Sequence, residues 1–114
     1  MNEVNEVVDS FNQYIRNIAP GSFQIAEHLR KDEIQAALQL ILQFSEGMGW
    51  LVQASELLNQ NDVKVRLEVE QIHEFLQEIN NGLEIQDYVL VADMFEYEIA
   101  PFFEQVADIE GIEQ

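Results

Sequence analysis

The chain has 114 residues, 22 acidic against five basic, a net charge of −17 and a hydrophobic share of 47%. That apolar share excludes a disordered acidic tail, and a chain this long can bury one core without disulfide or metal, so residues 1–114 are expected to form a single domain. The charge repels phosphate and anionic lipid, which sets nucleic acid and membrane surfaces aside as partners, and the lack of cysteine sets aside thiol chemistry.

The acidic start "MNEVNEVVDS" has no basic region followed by an apolar one, and "AALQLILQFSEGMGW", the longest apolar candidate, is interrupted by Gln, Ser, Glu and Gly. A cytoplasmic location is therefore expected. Apolar residues at alternating spacings of three and four mark four helices. The first carries Val4, Val8, Phe11, Ile15 and Ile18 and is predicted to stop before "APG". A short extra helical turn follows, in which Ser22 caps a piece presenting Phe23, Ala26 and Leu29. The second helix runs from Ile34 through Ala37, Ile41, Phe44, Met48 and Leu51 to Leu58, with Asp32 and Gln35 spaced as a capping box. Gly47 and Gly49 weaken it, which predicts that another helix, bearing a bulky aromatic, comes close. Trp50 beside them marks either a ligand notch or, more simply, a partly buried indole closing that contact.

"VKVRLEV" at 63–69 alternates like a strand but also fits the seam of a third helix, with Val65, Val69, Ile72, Leu76, Ile79 and Leu83; it is read as helix. Lys64 and Arg66 would then oppose the dipole at that helix's start and are expected to face acids such as Glu104 and Asp108. The fourth helix follows Ile85, Tyr88, Ala92, Phe95, Ile99, Phe102, Val106 and Ile109, with a kink or change of helix at Pro101. The fold expected is all-α: an antiparallel four-helix bundle with the extra turn between helices one and two.

Opposite the fourth seam lie Leu90, Met94, Tyr97 and Pro101, a second apolar stripe that needs cover. Either the 22–30 segment covers it, making the helix central, or a second copy of the chain does. The homodimer is the reading adopted, with Trp50, Leu90, Met94, Tyr97 and Pro101 as contacts and Asp93, Glu96 and Glu98 as a rim selecting a basic or neutral protein partner. The runs "NNGLEIQDYVLVADMFEYEIAP" and "FSEGMGWLVQA" resemble a group of small acidic helical proteins of Gram-positive bacteria, an uncharacterised domain family. The resemblance implies a cytoplasmic helical protein and carries no catalytic residue.

No catalytic signature is present. Glu70 and His73 in "EQIH" have the spacing of a di-iron carboxylate motif but occur once and fall off the seam, while Glu70 with Glu74 and Asp93 with Glu96 read as charged flanks. Ser10, Ser22, Ser45 and Ser55 lie in no nucleophile turn. No cofactor, metal site or catalytic residue is assigned. The function expected is that of a non-enzymatic adaptor, chaperone or regulator acting by protein–protein interaction. A carboxylate-rich metal-binding bundle with hydrolase or oxidase activity and an acidic DNA-mimic inhibitor stand as alternatives.

Overall fold

A computed structural model describes residues 2–106, which are all-α: among them there is no strand. Helix α1 spans Asn2–Arg30, α2 Ile34–Gln60 and α3 Val69–Glu84. A last rod consists of α4 (Tyr88–Met94), a π-helical turn (Phe95–Ile99) and α5 (Ala100–Glu104). At 1.5 Å per residue α1 is about 43 Å long, close to the full 50 Å of a body 21 Å across. It is the spine. Helix α2 returns along one side of it, the 88–104 rod runs antiparallel along another, and α3 folds back on α4.

The expected stop before "APG" does not occur, and the separate turn at 22–29 is instead the last third of α1. Pro20 deprives only the Arg16 carbonyl of its helix bond, and its ring lies on the exposed face. Meanwhile Ile15, Ile18, Ser22, Ile25 and Leu29 keep one buried face across the proline. Continuous burial outweighs one lost bond.

Three helices end by one device. The amides of Glu33, Val63 and Asp87 reach back to the carbonyls of His28, Leu58 and Gly82, and those of Asp32, Asp62 and Gln86 to Leu29, Asn59 and Leu83. These are Schellman closures, in which the residue of left-handed conformation is normally glycine. Here it is Asp32 (φ 62°), Asp62 (φ 62°) and Gln86 (φ 56°). Asp32 thus closes α1 and does not cap α2, whose start has no side-chain cap, so the expected capping box is not formed. Asp tolerates this conformation better than glutamine does. Gln86→Gly is accordingly expected to raise stability by about 1 kcal/mol, read as a later urea midpoint; an unchanged or earlier midpoint would count against strain at this corner.

The seam reading of "VKVRLEV" also fails: residues 63–68 lie in no helix and no strand, and α3 begins at Val69. Val63 and Leu67 are buried, Val65 partly so, and Lys64 and Arg66 point outward. The chain buries alternate residues without a strand partner, its Val65 amide bonding to Asn59 Oδ1 at 3.3 Å.

Candidate interaction surface

Asp87 starts the last rod, accepting the Leu90 amide at 3.1 Å. Pro101 marks the expected change of helix, because the backbone slips into the π register just before it and the Ala100 amide reaches Phe95 O. The rod is central, with a wide buried arc. Phe95 meets Phe44 of α2 edge-on at 5.1 Å, Phe102 meets Phe75 of α3 at 5.4 Å, and Val91, Ala92, Ile99 and Phe103 are buried between them.

This arc takes in Met94, which is 1% exposed. Met94 therefore cannot serve as a surface contact, and the expected outer stripe is broken at its middle. Leu90 (44%) and Tyr97 (66%) stay exposed and Pro101 is half-buried. Ile85, placed on the seam from sequence, is 70% exposed and Val89 68%. Gln86 and Asp87 turn the chain between α3 and α4, so Ile85 lies outside the last rod and its seam spacing does not carry across the turn. Ile109 lies outside the described residues.

The acids expected to form an open rim are largely engaged. Arg30, at the end of α1, donates from Nη2 to Asp93 Oδ1 at 2.9 Å and to Glu96 Oε1 at 3.0 Å, and from Nε to Glu96 at 3.2 Å. The end of α1 thereby reaches the flank of the rod but leaves Leu90 and Tyr97 exposed, so it does not cover the whole stripe as the central-helix alternative required. The exposed pair fixes orientation more than it stabilises, and its carboxylates raise the Arg30 pKa above its ordinary value. Glu98 remains exposed. Lys31, just past the end of α1, bonds back to Glu27 at 2.7 Å, and His28 Nδ1 lies 2.8 Å from Glu33. Lys64 and Arg66 are exposed and outside any helix, and neither is ion-paired among the described residues, against expectation; Asp108 lies beyond them.

Trp50 sits elsewhere. Its ring packs against Phe11 at 6.4 Å and edge-on against Tyr14 at 5.9 Å, about 24 Å along α1 from Arg30. Gly47 makes the approach possible, since a Cβ there would fall on the Tyr14 hydroxyl and Cζ, whereas a Cβ at Gly49 would meet nothing. The close-contact reading of the glycines holds for Gly47 and fails for Gly49. The expected interface therefore divides into two distant places.

Among the described residues no three His, Asp or Glu side chains gather as a metal-holding group; Glu70, His73 and Glu74 are exposed on α3. No described helix is long and apolar enough to cross a membrane. A family model described as Domain of unknown function (DUF8042) matches residues 6–109. The chain belongs to that family. Neither the curated proteins nor the solved structures include a match. The DUF8042 span takes in both places just described, the α1–α2 joint and the α3–α4 corner.

Two tyrosines carry perturbed acidities. The Tyr97 hydroxyl, hydrogen-bonded to the Glu96 carboxylate and within its field, has its pKa pushed up, and burial pushes that of Tyr14 up. Each holds its proton more tightly folded than unfolded, so any stability this lends is complete below the unfolded value of about 10 and disappears as pH rises through the folded ones. Ultraviolet titration of Glu96→Gln is expected to return Tyr97 toward ordinary tyrosine while leaving Tyr14 raised; two unchanged curves would show that Glu96 is not the cause.

Proposed function

We propose that this protein is a non-enzymatic interaction module that seats an apolar, positively charged helical segment of another protein on the aliphatic corner Ile85, Val89 and Leu90. The observation that supports this is the adjacency, at one helix corner, of three large aliphatics that the fold leaves uncovered. Exposed carboxylates, Glu84 and Asp87, flank the corner on a chain of net charge −17. Charge complementarity favours lysine or arginine beside the partner's apolar anchors. A second copy would bring −17 against −17, so the homodimer is the less favoured occupant. Tyr97, farther along the rod, extends the surface, and Glu98 is the rim acid left free. By the resemblance in "DYVLVAD" and "EYE" we place the protein in the cytoplasm of a Gram-positive bacterium.

The test uses a synthetic amphipathic peptide of about 18 residues, long enough to span the corner as a helix, with leucines on one face and lysines on the other. Calorimetry at low ionic strength should give a Kd between ~10 and ~100 μM. Ile85→Asp with Val89→Asp should weaken it at least about tenfold with the helical circular dichroism unchanged, and exchanging the peptide's lysines for glutamates should abolish binding. Binding that survives the double variant would refute the corner, and a light-scattering mass of two copies, lost in that variant, would hand it to the homodimer.

A further inference from the structure

Residues 63–68 join α2 to α3 without a helix, turn or bend. Val63 and Leu67 are buried and Val65 partly so, while Lys64, Arg66 and Glu68 are exposed, which is the period of two that an extended chain shows. Glu68, with φ −81° and ψ 93°, keeps the β conformation up to the start of α3. In such a chain the N–H and C=O of one residue point to one edge and those of the next residue to the other. The odd edge is engaged. The Val63 amide donates to Leu58 O at 2.9 Å and the Val65 amide to Asn59 Oδ1 at 3.3 Å, so the end of α2 occupies that side. The even edge is not: neither the amide nor the carbonyl of Lys64 or Arg66 bonds to a described residue.

The side chains of the same two residues also lack partners. On a chain of 22 acids against five basic residues, Lys64 and Arg66 stand on the outward face and pair with no acid among the described residues, whereas Arg30 and Lys31 are both paired. Cations and main-chain groups without partners thus coincide in one short stretch.

We propose that residues 64–66 are a strand-addition site, on which an extended segment of another protein pairs antiparallel with the Lys64 and Arg66 main chain and sets a carboxylate opposite each of the two cations. Residues that exchange hydrogen bonds in an antiparallel pair stand directly opposite, with side chains on one face about 5 Å apart. The partner residues bonded to Lys64 and Arg66 are therefore the ones whose side chains meet the cations. At that range the local pairs outweigh the chain's remoter acids, which salt screens beyond about 8 Å. Glu68, next on the outward face, calls for a basic residue opposite, so the partner reads basic-x-acidic-x-acidic from its N-terminal side. A second copy is a poor occupant, because antiparallel pairing of two such edges sets Lys64 against Arg66 or one of them against itself. The site is separate from the aliphatic corner and selects the opposite charge.

The probe is the peptide acetyl-Thr-Lys-Val-Glu-Val-Glu-Thr amide, followed by backbone-amide NMR of the full chain. In the free protein the Val63 and Val65 amides should exchange slowly with deuterated water and those of Lys64 and Arg66 quickly. The peptide should slow the Lys64 and Arg66 amides and shift them saturably, with a Kd of about 0.1 to 1 mM at physiological salt. Lysines in place of its glutamates should weaken binding at least about tenfold. N-methylation of the two glutamate amides, which removes main-chain donors and leaves the charge, should do the same. Lys64→Glu with Arg66→Glu should lose the peptide and bind its lysine counterpart instead, with helical circular dichroism unchanged because both side chains are exposed. Ile85→Asp with Val89→Asp should bind the peptide as the unaltered chain does. Slow Lys64 and Arg66 amides in the free protein, no saturable shift, equal binding of the N-methylated peptide, or binding that survives the charge reversal or is lost in the corner variant would each overturn the proposal.

Discussion

Lysine in place of Met94 should remove most of the protein's stability, whereas lysine in place of Tyr97, three residues along the same rod, should change it by less than about 0.5 kcal/mol. Met94 is among the largest fully buried side chains and lies in the wide buried arc of the last rod. Deleting it would leave a cavity costing roughly 2 to 5 kcal/mol, and an ammonium group at the site adds the penalty of an unpaired buried charge. Against a total of roughly 5 to 15 kcal/mol, that is expected to leave the chain largely unfolded at 37 °C. Tyr97 gives up only an exposed ring. Urea unfolding followed by circular dichroism reads both variants, and a Met94→Lys protein with a native midpoint would contradict the central position of the rod.

Gly47→Ala and Gly49→Ala should move stability in opposite directions although the two sites are one residue apart. Alanine gains about 1 kcal/mol over glycine in a helix interior, and at Gly49, with open space outside the backbone, that gain should appear whole. At Gly47 the methyl group would land on the Tyr14 ring, whose edge is held against Trp50. Displacing a stiff ring from between two helices costs roughly 1 to 3 kcal/mol, so the net effect should be a loss of up to about 2 kcal/mol, or several degrees in melting temperature. Tyr14→Leu should restore most of it, since it takes away the clashing atoms. If Gly47→Ala stabilises as much as Gly49→Ala, the notch has no role in the joint.

The seam and span of the second helix were legible because nothing competed with its periodicity, and Ile34 to Leu58 falls inside the observed Ile34–Gln60, although the capping box expected at its start is not formed. The first was misread at "APG" because proline and glycine are local signals, while the burial that carries α1 past them depends on α2 and the last rod, which no short window contains. At 63–68 two periodicities fitted the same residues, and the alternating one describes the chain, since Lys64 and Arg66 turn outward. The single-seam picture of the last helix failed for a further reason. A rod flanked by α1, α2 and α3 buries more than one seam, so Met94 belongs inside and Ile85, beyond its end, outside. That Gly47 matters and Gly49 does not was equally beyond the sequence, because the answer depends on where Tyr14 arrives. Arg30's grip on Asp93 and Glu96 joins residues more than sixty positions apart, and no spacing rule reaches that far.

The long α1 spine sets the protein's hydrodynamics. A globular chain of this length has a radius of gyration near 13 Å, whereas this one measures 15.1 Å and is more than twice as long as it is wide. Such a body drags more water and tumbles anisotropically, more slowly about its short axes than about the long one. On a sizing column at low salt, where its strong negative charge also excludes it from the matrix, a single copy of 13.2 kDa will elute ahead of compact standards of equal mass and imitate a dimer.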